Sequence, residues 1–336
     1  MSELTEILDA IEAAAARDEP MALATIVATR GSTYRRAGAR LLVLADGTLI
    51  GNLSGGCLEG DVARIGREVM ASRVPRMADF DLTAESDAVW GYGLGCNGAF
   101  EVFVEPAAGA VAVADALRSA HDTCLVTVLS GPDAGSHRMQ ADGAAAAALR
   151  DGTTRVVEED GERVAYEPIQ SPMRLVVCAA GHDAIPLVRQ AAELGWRVTV
   201  ADVRRKLLTH ERFPEATDFC DADPAKAAAA IGPDRRTAVV LMSHNYLRDQ
   251  EYLRSFLEAD AAPAYLGVLG PRGRTEQMLH GLELSDAIAR LHAPAGLDIG
   301  AEGPEEVARA IVAEILAVMR GRSGGSLRER PGPIHA

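Results

Sequence analysis

The chain has 336 residues, more than one hydrophobic core usually serves, so two or three domains are expected. Apolar residues make up 48% and charged residues 24%, the balance of a folded chain and not of a disordered one. A net charge of -14 argues against a general nucleic-acid or anionic-membrane surface, and the five cysteines show neither a Cys-x-x-Cys pair nor zinc-ligand spacing, so reduced thiols are expected.

Leu4, Ile7, Leu8 and Ile11 recur at helical spacing beside Glu3 and Glu6. This predicts an acidic amphipathic helix and not a signal peptide. With no apolar run long enough for a membrane span, a cytoplasmic protein is expected. Residues 21–29 read as a buried strand. Residues 39–45 and 48–52 flank Asp46-Gly47, which suits a type I′ turn, and read as a hairpin. Then comes Gly51-Asn-Leu-Ser-Gly-Gly-Cys-Leu-Glu-Gly-Asp61, ahead of a helix over 62–71. Gly55 and Gly56 permit a sharp turn and a close approach of backbone N–H groups to a ligand. A helix start favours an anion and lowers the pKa of a nearby thiol. Cys57 therefore stands where a thiolate or a sulfur-bearing anion could be held; the alternative is a structural cysteine in a tight turn. Arg35, Arg36 and Arg40 form a basic cluster just before this loop. A second glycine run, 91–98, carries Cys96 and leads into a strand over 100–105, so the two loops could meet at one site. Residues 110–121 read as a helix, 123–130 as a strand, and the turn-separated pieces from His137 to Tyr166 as short strands. The alanine run 144–148 carries no period. Pro168 and Pro172, in a stretch without periodicity, mark a domain boundary.

From Arg174 the pattern alternates. Strands are expected over 174–179, 197–201, 237–243 and 264–269, and helices over 183–194, 224–231, 247–259, 275–280 and 304–320. This is the signature of a parallel sheet covered on both faces. Ala179-Ala-Gly-His-Asp-Ala184 follows a strand and opens a helix. It matches a dinucleotide fingerprint in Gly181 and Ala184, with Ala179 in place of the first glycine. Asp202 closes the next strand, where an acid can bind a ribose hydroxyl, and Arg204 and Arg205 beyond it suit a phosphate or are plain surface charge. His244 stands at the carboxyl end of a strand, where ligands bind in such folds. Gly270 ends the next strand, and His182 heads the fingerprint helix. His210, His280 and His292 read as solvated or capping. No Ser-His-Asp order, Walker lysine or His-x-x-x-His pattern is present.

Several segments together resemble the XdhC/CoxI family of accessory proteins for molybdenum hydroxylases. They are Gly31-Ser-Thr-Tyr-Arg-Arg-Ala-Gly-Ala-Arg40, Ser54-Gly-Gly-Cys-Leu-Glu-Gly-Asp61 and Gly93-Leu-Gly-Cys-Asn-Gly98 in the first half. In the second they are Gly181-His-Asp, Val200-Ala-Asp-Val-Arg204, Met242-Ser-His244, Tyr265-Leu-Gly-Val-Leu-Gly270 and Gly296-Leu-Asp-Ile-Gly300. Ala179, Pro271 and Asn97 depart from the family pattern. The resemblance implies a mixed α+β N-terminal domain over 1–170, with a strand-rich part over 107–170. A Rossmann-like doubly wound domain over 171–320 follows; the tail over 321–336, rich in Gly, Arg and Pro, reads as mobile from its composition. The resemblance implies a chaperone and not a turnover enzyme: a protein that binds molybdenum cofactor, supports its sulfuration by a cysteine desulfurase and delivers it to an apo molybdenum hydroxylase of the xanthine dehydrogenase type. The implied cofactor-binding residues are Cys57, Cys96, Gly55, Gly56, Arg40, Gly181, His182, Asp202, Arg204, His244 and Gly270. No catalytic residue is implied, and a homodimer stays open. The alternative is an NAD(P)-dependent oxidoreductase or nucleotide-sensing module built on the second domain.

Overall fold

The computed structural model describes residues 3–56, 58–81, 97–118 and 122–330. The chain forms two compact units, Glu3–Ser171 and a second that starts at Pro172. No helix among the described residues is long and apolar enough to cross a membrane.

The first unit opens with α1 (Glu3–Ala16), then β1 (Met21–Ser32), β2 (Arg40–Leu44), β3 (Leu49–Gly51), α2 (Glu59–Ser72), β4 (Arg76–Asp81), β5 (Asn97–Pro106) and α3 (Ala107–Arg118). The five strands make one antiparallel sheet in the order β3-β2-β1-β5-β4. Its alternating side chains serve two cores. Ala22, Ala24, Ile26, Val102 and Val104 pack on Val62, Ile65 and Val69 of α2. Met21, Leu23 and Leu42 pack on Ile7, Ile11, Ala110 and Val113 of α1 and α3. The strand period of two thus gives each face a helical cover.

A second antiparallel sheet follows, from β6 (Thr123–Val128), β7 (His137–Gln140), β8 (Arg155–Glu159) and β9 (Glu162–Ile169), ordered β7-β6-β9-β8. Residues 143–151 are not strand: α4 (Gly143–Asp151) lies between β7 and β8. Alanine is the strongest helix former, and Ala145 and Ala148 face Cys124, Val126 and Tyr166. A run of identical residues hides that amphipathic face. The stretch around Pro168 is strand as well, since β9 reaches Ile169. Pro168 lies beyond Tyr166, the last residue paired with β8, where a missing N–H is tolerated.

The two sheets meet through Val27, Phe103, Leu129 and Ala165, through two ion pairs and through a histidine–carboxylate contact. Arg40 on β2 pairs with Glu167 on β9 at 2.5 Å, His137 on β7 with Glu105 on β5 at 2.6 Å, and Arg163 on β9 with Glu101 on β5. Thr127 hydrogen-bonds the other ring nitrogen of His137 at 3.1 Å. Gly109 gives Glu105 its room, because a Cβ there would lie 2.0 Å from the carboxylate. Thr25, Arg40, Glu105, Thr127 and Glu167 line a cavity of about 10 Å³, near the size that holds one water.

The second unit alternates as expected: β10 (Arg174–Cys178), α5 (Ala184–Glu193), β11 (Arg197–Ala201), β12 (Asp218–Cys220), α6 (Ala227–Ile231), β13 (Thr237–Leu241), α7 (Tyr246–Leu257), β14 (Tyr265–Val268), α8 (Arg272–Gly281) and α9 (Pro304–Met319). Its parallel sheet runs β12-β11-β10-β13-β14, so the order reverses between β10 and β13. Leu175, Val177, Ala238 and Val240 face α5 and α9, while Val176, Cys178, Val239 and Leu241 face α6, α7 and α8. The edge strand β14 is not bare, because Val268 N–H donates to the His292 carbonyl and His292 N–H to that of Leu266. His292 is therefore not a solvated residue. Its ring stacks on Tyr265 at 4.3 Å, and its Nδ1 meets Glu314 at 3.1 Å.

The buried Arg40–Glu167 pair makes a testable demand. Removing one partner leaves an uncompensated charge, so Glu167→Ala should cost about 3 kcal/mol in urea unfolding, and the double change Arg40→Met with Glu167→Leu should recover most of it. A Glu167→Ala protein as stable as the parent would show that the pair does not hold the sheets together.

Candidate functional site: two glycine turns

The loop between β3 and α2 is organised by Glu59. Its Oε1 accepts N–H bonds from Leu53 at 3.1 Å and Ser54 at 2.9 Å. Its Oε2 accepts from the Ser54 hydroxyl at 2.8 Å, Gly56 N–H at 3.0 Å and Leu58 N–H at 3.1 Å. Gly55 N–H goes to Asn52 Oδ1 at 2.9 Å. The chain can curl this tightly because Gly55 and Gly56 sit at φ 83° and 115°, a region that side chains rarely adopt. Burial pushes the Glu59 carboxyl up, but the Ser54 hydroxyl and the backbone N–H groups outweigh it and hold the group below the ordinary carboxylate range. The amides expected to face a ligand anion are thus bonded within the chain, Gly56 to the Glu59 carboxylate and Gly55 to Asn52. Glu59 and Asp61 also place negative charge at the start of α2, which opposes the thiol-activating effect expected of that helix end. Tyr34 stands beside Gly55, its ring 3.7 Å from where a Cβ would be, and is 57% exposed.

Cys57 and Cys96 lie outside the described residues. The basic cluster does not assemble. Arg35 pairs with Glu3, while the Arg40 guanidinium turns inward, 4% exposed, to Glu167 and the Gly38 carbonyl. Arg40 belongs to the sheet interface and offers no charge to a ligand at the loop. Of the remaining cysteines, Cys124 is pushed to about 11 by burial and the nearby Glu167 charge, and Cys178 is raised by burial. Neither is a ready thiolate at neutral pH.

In the second unit Gly181, His182, Asp202, Arg204, His244 and Gly270 all fall at or just beyond the carboxyl ends of β10, β11, β13 and β14. The turn after β10 is pinned on both sides. Ala180 N–H donates to Asp202 Oδ2 at 2.8 Å, and the Ala180 carbonyl accepts from Arg212 Nε at 3.1 Å. A Cβ at Gly181 would meet nothing within 4 Å, so the space above the turn is open, and His182 is exposed there. His244 holds a left-handed φ of 55°, uncommon outside glycine. Its Nε2 is 2.8 Å from Asp183 Oδ2, which links the β13 loop to the fingerprint turn where strand order reverses. Asp202 is 4% exposed. Burial pushes its carboxyl up, but hydrogen bonds from the Arg204 side chain and backbone and from Ala180 bring it down to about 2.

Sequence reasoning missed Asp249 and Ser243 here. Asp249, fully buried on α7, accepts from Ser243 N–H at 3.1 Å, the Ser243 hydroxyl at 2.6 Å and Arg274 Nη2 at 2.7 Å. This trio ties the β13 loop to α8. The one signal in the sequence was an acid in the first turn of a helix that follows a strand end. Among the described residues no group of three or more His, Cys, Asp or Glu could hold a metal ion.

Two family models match, "XdhC and CoxI family" over residues 14–81 and "XdhC Rossmann domain" over 175–315. A Bacillus subtilis protein, named as a probable subunit of xanthine dehydrogenase, is 31% identical, over 89% of this chain and 93% of its own length. The chain belongs to the XdhC/CoxI family. The Escherichia coli molybdenum cofactor insertion chaperone PaoD is a more distant relative, 27% identical over 88% of this chain and 82% of its own. A Bacillus halodurans crystal structure, described as a xanthine dehydrogenase, superposes with a TM-score of 0.76 at 31% identity and covers 98% of each chain. The XdhC/CoxI matches include the Glu59 turn and the whole strand-end cluster, while Cys96 falls between them.

The carboxylate of Asp202 predicts an acid-dependent contribution to stability. Its folded pKa of about 2 lies below the unfolded value of about 3.9, so its contribution is full above the unfolded value and is lost as pH falls through the folded one. Asp202→Asn should lower stability by about 2 kcal/mol at neutral pH, and the gap from the parent should close between about pH 5 and pH 2 in urea unfolding. A gap that does not change with pH would contradict this.

Proposed function

We propose that this protein is a carrier and insertion chaperone for molybdenum cofactor, which it protects during sulfuration and delivers to an apo molybdenum hydroxylase of the xanthine dehydrogenase type. Its partners on this reading are that hydroxylase and a cysteine desulfurase, and it performs no turnover of its own. The observation that carries the reading is the similarity to PaoD, whose name states cofactor insertion, over 88% of this chain. The Bacillus subtilis relative, by its name part of a xanthine dehydrogenase, supports the same enzyme class as client.

The chain's own groups suit such cargo, a phosphorylated pterin with a soft sulfur pair. The space above Gly181 is open and His182 is exposed beside it, at the strand ends where ligands bind in this fold. Gly270, just beyond β14, holds φ 121°, a backbone region that side chains rarely adopt. In the first unit Gly56 and Leu58, the sequence neighbours of Cys57, have their amides held by Glu59, and the exposed ring of Tyr34 stands beside Gly55. Cys57 and Cys96 are the proposed soft ligands, since thiolates suit a metal–sulfur centre. The names of the two Bacillus proteins would also suit an oxidoreductase, and the bonding of Asp202 weighs against that alternative.

The test is delivery. Protein purified without oxygen from cells that make the cofactor should yield pterin fluorescence after acid oxidation, and should speed the activation of apo-hydroxylase. Cys57→Ser and His244→Ala should each cut the activation rate at least roughly tenfold, the loss of about 1.4 kcal/mol of binding. Cys124→Ser should leave it unchanged. A protein that carries no pterin and does not change activation would refute the reading.

A further inference from the structure

A Rossmann domain brings the expectation of a dinucleotide, held by an acid at the end of its second strand that accepts bonds from the adenosine ribose. Asp202 holds that position at the end of β11. We propose that this domain takes neither NAD nor NADP, because Asp202 is filled from within the chain. An ionised carboxylate offers about four acceptor positions. Oδ1 accepts from Arg204 N–H at 2.9 Å and Arg204 Nε at 2.9 Å; Oδ2 accepts from Ala180 N–H at 2.8 Å and Arg204 Nη2 at 2.6 Å. Nothing is left for a ribose diol. Two of the four bonds form a charged fork, the strongest kind of hydrogen-bonded pair. With Asp202 only 4% exposed, a diol would have to displace the guanidinium to reach it.

The same fork answers NADP. A 2′-phosphate is accommodated by a basic residue near the acid. Here Arg204 is that residue, and its Nε and Nη2 are committed to Asp202. The first-glycine position adds a further obstacle, since Ala179 is 2% exposed and its methyl packs into the sheet core. What the acid does instead is structural. It receives the Ala180 amide, and Arg212 holds the Ala180 carbonyl, so Asp202 is a positioning residue for the fingerprint turn. The domain keeps open space at Gly181 and has lost the ribose end of the site.

This inference stands apart from the carrier reading, because a pterin cargo needs no ribose acid, and either can fail alone. The test is calorimetric titration of the full chain with NAD+, NADH, NADP+ and NADPH up to about 1 mM. No saturable heat is expected, and saturation by any of the four overturns the proposal. Arg204→Ala combined with Ala179→Gly frees two acceptor positions and restores the first glycine. This variant should gain saturable NADH binding, and adding Asp202→Asn should abolish it. Arg204→Gln, a smaller disturbance, with Ala179→Gly serves if the first pair does not fold by circular dichroism. A folded variant that stays silent would also overturn the proposal, since internal bonding of Asp202 would then not be what closes the site.

Discussion

A carboxylate of the chain that binds the backbone of a turn is the interaction on which both candidate sites depend. In the first unit Glu59 collects the amides of Leu53, Ser54, Gly56 and Leu58. In the second Asp202 collects the Ala180 amide and the Arg204 fork. Glycine-rich turns bring N–H groups together, and converging N–H groups attract an anion. Here the anion is part of the chain. Buried amides left unpaired would cost about 1–3 kcal/mol each, so an internal carboxylate lets a tight turn stay ordered with no ligand. The consequence is chemical as well as structural, because these donors are spent.

The N-terminal unit applies the same economy to charge. Its two sheets share an apolar contact through Val27, Phe103, Leu129 and Ala165, flanked by Arg40–Glu167, His137–Glu105 and Arg163–Glu101. Such pairs add little net stability compared with apolar replacements, but they penalise any register that separates them. A one-residue slip of β9 would move Glu167 to the other face and leave Arg40 without its partner.

Much of this was legible in the sequence. Asp46-Gly47 marked the hairpin, the strand-helix alternation from Arg174 marked the parallel sheet, and Gly181, Asp202 and His244 marked its carboxyl edge. The failures have physical causes. The alanine run of α4 has no polar residues to reveal its period. β4 and β12 are edge strands with half-exposed, mixed sequences. Asp202 lies where a ribose-binding acid lies, and position cannot show that Arg204, two residues on, turns back to cover it. Arg40 follows the same logic. Its neighbours Arg35 and Arg36 suggested a surface cluster, yet its partner Glu167 is distant in sequence. His292 could be understood only once the chain had returned to lie along β14.

The most direct measurement is amide hydrogen exchange at Gly56, Leu58 and Ala180 in the full chain without ligand. If internal carboxylates hold both turns, these amides are protected well beyond ordinary loop amides. Glu59→Gln should then release Gly56 while Ala180 stays protected, and Asp202→Asn should do the reverse; Leu58 N–H, which also donates to the Ser54 hydroxyl oxygen at 2.9 Å, should change less. Exchange at unprotected loop rates in the parent protein would contradict the account.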